Sequence, residues 1–220
     1  MLSRLAALLV PAFGRLTVTC DEGAVVAPGS LIVANHTSIT DPAVVLAALH
    51  RLGVQPAVMA AAGLWRAPVL GRALAREGHI PVRRGDRRAA DALDLAVAAL
   101  REGRTVLIYA EGGIPAGHGA GEAAPRAFRS GVARIVERTG APVVPIGQAG
   151  ARRVSSGGTG KQLAGLLSAP LRRPGLHVHL GAPIAPSGGR RDATRQAHSA
   201  VTRAWRTAAA RLGEPAAHAA

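Results

Sequence analysis

The sequence predicts a single-domain α/β sandwich, a mostly parallel or mixed central sheet flanked by helices. Three observations lead there. Short apolar runs rich in β-branched residues alternate with longer segments of helical period through most of the chain, the order that βαβ units produce. Glycine, proline, asparagine and aspartate punctuate the boundaries. The length of 220 residues suits one domain with a substantial core better than two, and no shift of composition marks a linker.

Residues 1–25 read as an N-terminal helical segment. Its apolar stretch, residues 5–13, lies between Arg4 and Arg15, is too short to span a bilayer and contains Pro11. It suits a helix lying in the membrane interface, with arginines among headgroups, and equally a helix packed on the core. A signal h-region has this length too, but no small-residue cleavage site follows.

Residues 31–34, Leu-Ile-Val-Ala, form the first buried strand, ending in the polar run Asn35, His36, Thr37, Ser38. Asp41-Pro42 then marks a helix start, with Asp41 as N-cap and Pro42 at the first helical position. Residues 55–60 read as a second strand, 64–76 as a connection or helix around Pro68 and Gly71, and 78–85 as a strand end opening into a turn that presents Arg83 and Arg84. Residues 86–101 have helical period, with Ala90, Leu93, Leu95, Val97 and Leu100 on the apolar face. Residues 105–109 form a buried strand ending in Ala110-Glu111-Gly112-Gly113, and a glycine-rich loop at 117–121 leads to a helix at 127–139 and a strand at 142–147. Residues 149–174 read as a long surface loop with some helix, 176–180 as a late strand, and 190–212 as a helix with an apolar stripe that includes Val201 and Trp205.

The formal charge of +14 calls for an anionic partner: nucleic acid, an acidic membrane surface or phosphorylated small molecules. The few aromatic residues (two Trp, one Tyr, two Phe) are scattered and make no stacking platform, so no nucleic acid is expected. A single cysteine, Cys20, excludes an internal disulfide framework and a multi-thiolate metal site, and fits a reducing, cytosolic setting.

Some motifs fail on inspection. Residues 157–162 suggest a phosphate loop, but its first glycine would fall on Ser155 and its final Ser/Thr on Gln162. His177 and His179 share one face of a strand without a nearby third ligand, so no metal is expected and they read as exposed strand residues. No G-x-S-x-G elbow is present.

The chemistry concentrates at His36 and Asp41. A neutral imidazole takes a proton from a hydroxyl near neutral pH, and a carboxylate fixes its tautomer and stabilises the imidazolium. If the hydroxyl is the substrate's, no serine or cysteine nucleophile is needed.

Four blocks in order resemble those of the glycerolipid acyltransferases, with the bacterial 1-acylglycerol-3-phosphate acyltransferases most similar. They are residues 35–41, residues 78–84, residues 109–113 and residues 143–146, joined by Phe128-Arg129-Ser130-Gly131, which is similar to that family's phenylalanine-basic-x-glycine segment. The resemblance implies a glycerol-3-phosphate acyltransferase-like fold with the acyltransferase core at 26–190; the basic C-terminal helix, 191–220, is expected to pack on the same domain. It implies transfer of an acyl chain from acyl-CoA or acyl-carrier protein to a lysolipid hydroxyl, at the cytoplasmic face of the membrane and without metal or cofactor. His36 would be the general base, Asp41 its partner, and Asn35, Arg84, Glu111 and Gly112 substrate contacts, with Arg84 on the acceptor phosphate. The third block departs from the pattern: where the family has glutamate-glycine-threonine-arginine, this chain has Glu111-Gly112-Gly113-Ile114. Either Arg83, Arg126 or Arg129 replaces the missing arginine, or the acceptor is not a simple glycerol phosphate, or the chain is a non-catalytic basic protein that binds anionic membranes or nucleic acid through its arginines.

Overall fold

Leu31–Ala34 (β2) has no exposed side chain, as expected of a central strand covered on both faces. The computed structural model describes residues 1–83, 89–114 and 122–214. β2 pairs in parallel with Val106–Tyr109 (β5) and with Val143–Ala149 (β6). The parallel set extends from β5 through Ala57–Ala61 (β3) to Ile80–Val82 (β4). On the other side, Gly175–Leu180 (β7) runs antiparallel to β6, and Arg15–Cys20 (β1) pairs in parallel with β7. The result is a mixed seven-stranded sheet of order β1-β7-β6-β2-β5-β3-β4, as predicted in type.

Alternation along the strands separates two apolar layers. Ile32, Ala34, Leu107, Val144 and Ile146 face Leu2–Phe13 (α1) and Asp41–Arg51 (α2). Leu31, Val33, Val106 and Val143 face Ala89–Arg101 (α4), Gly131–Thr139 (α5) and Arg190–Arg211 (α8). The closest approach is at Gly147, where a Cβ would stand 2.0 Å from the α8 backbone at Ala204 and Trp205. The alanines of α8 serve the same contact: Ala197, Ala200, Ala204 and Ala208 are all buried, letting a 22-residue helix lie flat on β6. A 3₁₀ turn, Ala62–Arg66, and Pro68–Arg76 (α3) fill the connection before β4.

Several expectations are corrected. Residues 1–25 are not helical throughout, because they include β1, an edge strand with exposed and half-buried residues whose partner lies some 160 residues away. The helix expected from residue 127 begins at Gly131, because the preceding residues are held at the end of β5, where the Arg129 N–H bonds to Ala110 O (2.9 Å). In α4, Leu95 is exposed and Ala92, Ala96 and Ala99 face the core. Residues 149–174 are largely helical, as Ala151–Val154 (α6) and Thr159–Arg172 (α7); the glycines at 157, 158 and 160 fall in the turn and first helical positions and disguise the leucine spacing behind them. The glycine-rich loop at 117–121 lies outside the described residues. His177 and His179 are buried, not exposed, under the α8 side of β7. Thr17 Oγ1 meets His177 Nδ1 (2.6 Å), Thr19 Oγ1 meets both His177 Nε2 (2.9 Å) and His179 Nδ1 (2.8 Å), and His179 Nε2 meets Asp21 (3.0 Å). The β1 segment supplies every one of these partners.

Buried His79 accepts the Val58 N–H at Nδ1 (2.9 Å). Burial pushes its pKa below the usual 6.5, against the pull of the Glu77 carboxylate 3.5 Å from Nε2. The unfolded chain therefore binds a proton more readily, and stability present above pH 6.5 is lost as pH falls below it. Between about pH 7.5 and about pH 5.5, the urea midpoint of the native chain should drop further than that of His79→Asn, which keeps an acceptor for Val58 without the titration. Equal drops would remove His79 as a source of the pH dependence.

Candidate active site

The parallel pairing of β2 with β5 and β6 brings Ala34, Tyr109 and Ile146 level, so the residues that follow them meet at one rim of the sheet, where ligands gather in α/β folds. Asn35 is fully buried there: its Nδ2 donates to Gln148 O (3.0 Å) and its Oδ1 accepts from Gln148 N (2.8 Å). This side chain adds a rung between β2 and β6. The expected substrate contact at Asn35 is thus corrected, because both ends of its amide are spent in the sheet.

The next residues fold around one carboxylate. Asp41 Oδ2 accepts from the backbone N–H of Thr37 and of Ser38 (2.8 Å) and lies 3.0 Å from His36 Nδ1. Thr40 rather than Asp41 is the N-cap of α2, since this carboxylate turns back to the loop. The turn is pinned from a distance: Ser38 Oγ donates to Ser155 O (2.7 Å), and Thr40 Oγ1 to Ala151 O (3.3 Å). Burial raises the Asp41 pKa above its usual value, opposed by His36 and by the Ser38 and Thr37 N–H groups. A carboxylate only accepts, so His36 Nδ1 carries the hydrogen and Nε2 holds the lone pair. The Tyr109 ring lies against the imidazole, centroids 4.5 Å apart. Burial, with the Asp41 charge added, keeps the Tyr109 pKa well above 10, so its phenol stays protonated.

Glu111 supports the same turn from β5. Its Oε1 accepts the His36 N–H (2.8 Å) and its Oε2 the Arg126 N–H (3.1 Å), with Arg126 Nε 3.5 Å away. Burial raises its pKa, against those hydrogen bonds and the Arg126 charge. The expectation that Glu111 contacts substrate is corrected: both oxygens hold the protein together. Gly112 has φ +75°, and a Cβ there would stand 2.4 Å from Arg129 Nε; only glycine lets that guanidinium cross the loop. Arg84 lies outside the described residues.

His36 and Gly112 border a cavity of about 1160 Å³. Leu5, Leu9 and Phe13 of α1 and Met59 of β3 contribute apolar walls, and Arg129 and Arg134 stand among the few charged lining groups. Sequence reasoning does not find Gln148, Ser155 or the α1 wall; each reaches the site only through tertiary contact, and none carries a local signal.

No curated protein matches the chain. Among solved structures, the 1-acyl-sn-glycerophosphate (LPA) acyltransferase PlsC from Thermotoga maritima is similar with a TM-score of 0.72 over 94% of this chain and 77% of that one, at 18% identity; the shared property is the fold. The model of the family described as Acyltransferase matches residues 15–148, a span that takes in His36, Asp41, Glu111, Arg129 and the β6 residues that hold Asn35. A match over more than half of the sequence, on a fold of the same kind, places this chain in the acyltransferase family.

Proposed function

We propose that the protein moves a fatty acyl chain from a thioester, acyl-CoA or acyl-carrier protein, to the free hydroxyl of a lysophospholipid, 1-acylglycerol-3-phosphate, giving phosphatidic acid. The observation that carries this reading is an imidazole–carboxylate pair opening onto a large apolar cavity. That cavity is somewhat larger than the roughly 300–1,000 Å³ of ordinary ligand pockets, which suits a long hydrocarbon chain. His36 Nε2 takes the proton from the acceptor hydroxyl as its oxygen attacks the thioester carbonyl. Asp41 stabilises the resulting imidazolium. The tetrahedral intermediate collapses, the C–S bond breaks, and the departing thiolate takes the proton from Nε2, leaving an ester and a free thiol. No metal or further cofactor enters these steps.

For the acceptor phosphate, the geometry favours Arg129 over the other two candidates. Arg126 is engaged with Glu111 and donates to Gly113 O (2.6 Å). Arg83 is exposed and does not line the cavity. Arg129 crosses Gly112 beside His36 in the cavity wall. Ile114, also in that wall, supports a second reading, a lysolipid acceptor without a glycerol phosphate.

The membrane reading rests on α1. Ala6 and Val10 pack into the core while Leu5, Leu8 and Leu9 are exposed, which leaves apolar side chains on the outer side of the helix free to meet a bilayer. No helix among the described residues is long and apolar enough to cross a membrane. We place the protein peripherally on the cytoplasmic face of the membrane.

With acyl-CoA and lysophosphatidic acid, His36→Ala should cut thiol release by about 10²–10⁴-fold and Asp41→Asn by a similar order, each checked by a melting curve that shows the fold retained. Full activity in either variant would remove the mechanism. Glu111→Gln replaces one acceptor by an amide donor facing an N–H, and should cost about 1–3 kcal/mol of folding stability, read by urea denaturation. Arg129→Ala should raise KM for lysophosphatidic acid more than it lowers kcat, and leave uncharged lysolipids unaffected. A panel in which the native chain prefers uncharged acceptors, with Arg129→Ala silent, would favour the second reading.

A further inference from the structure

α7 packs along one side only, against α1 and α6, and leaves most of its surface uncovered. Of its 14 residues only Ala169 is buried, yet it carries four leucines. Leu166 turns inward to line the large cavity. Leu163, Leu167 and Leu171, four residues apart and therefore on one stripe, are 58%, 72% and 91% exposed. Isolated exposed leucines are ordinary, but a row of them is not. The row also has a neighbour. α7 packs beside α1, Arg173 Nη2 donates to Pro11 O (3.1 Å), and α1 exposes Leu8 at 75%, with Leu5 and Leu9 about half exposed.

We infer that α7 is a second lipid-contacting element, which with α1 forms one face that seats on an anionic bilayer. This rests on the peripheral-membrane reading above and extends it to a part of the chain that reading did not use. Charge selects the occupant. Neither helix contains an acidic residue, and cations flank the leucines: Lys161 near one end of α7, Arg172 and Arg173 at the other, and Arg4 on α1. Leucines between basic ends match acyl chains beneath anionic headgroups. The cavity gives a second reason. Leu5 and Leu9 both line it and reach the surface, and Leu166 lines it from α7, so the cavity borders this face and a single-chain lipid can pass between the bilayer and His36 without crossing water.

The test uses the full chain with vesicles of phosphatidylglycerol and phosphatidylcholine, and compares the native protein with Leu163→Gln/Leu167→Gln/Leu171→Gln. These side chains are exposed, and an unchanged melting curve checks the fold. Vesicle affinity should fall about 100-fold or more. Turnover of a short-chain, monodisperse lysolipid should be retained while turnover of a vesicle-embedded one is lost. The indole introduced by Leu167→Trp should be quenched by brominated lipid. A triple variant that binds vesicles as the native chain does, or an introduced indole whose emission stays that of a ring in water, would overturn the role of α7 and leave the peripheral reading standing. A native chain that fails to bind vesicles at all would sink both. A native dimer that the triple variant converts to monomer, with vesicle binding unchanged, would assign the face to a second copy instead.

Discussion

The site depends on the cost of burying one charge. Asp41 has no exposed surface, and a buried carboxylate is tolerated only where donors converge on it. The loop from His36 to Ser38 supplies them, two backbone N–H groups and a ring nitrogen on a single oxygen. That constraint fixes the imidazole, and it is met only because the turn is held on every side. Glu111 holds the His36 N–H from β5, Ser155 and Ala151 hold the hydroxyls of Ser38 and Thr40 from the α6 segment, and Gln148 holds Asn35 from β6. A short loop with an expensive ion at its centre thus recruits backbone and side chains from three other elements.

The same network sorts the charges. Asp41 and Glu111 are buried and Glu122 is half-buried, with Glu122 accepting from Gly150 N (2.7 Å) and facing the Trp205 indole N–H. Burial raises the pKa of all three. Carboxylates used in this way contribute little negative field to the surface, whereas among the described arginines Arg152 alone is buried and the rest are exposed or half-buried. The net charge of +14 counts these three carboxylates as well, so the rest of the chain, which an anionic partner meets, carries a larger excess of positive charge than that figure.

Legibility follows distance along the chain. His36 and Asp41 are five residues apart, and their contact follows from a strand end, a turn and a proline-led helix, all local. The central strands β2, β5 and β6 are equally plain, because a strand buried on both faces is a solid apolar run. β1 is not, since an edge strand is half polar and its pairing with β7 closes only in three dimensions. Asn35 and Glu111 look like ligand contacts because polar residues at a sheet edge invite that reading. Each instead satisfies backbone groups that a sequence cannot show to be unpaired. The leucines of α7 are visible in the sequence, but the glycines and arginines around them have the character of a loop.

By itself the sequence determined the α/β class and the imidazole–carboxylate pair, because each is written in residues near one another along the chain. Tertiary structure alone decided that Asn35 and Glu111 are supports, that Arg129 crosses Gly112 into the cavity, and that α7 lies beside α1. Those outcomes depend on parallel strands bringing residues some 75 to 113 positions apart to one rim, where the demand of buried polar groups for partners sets each side chain's task.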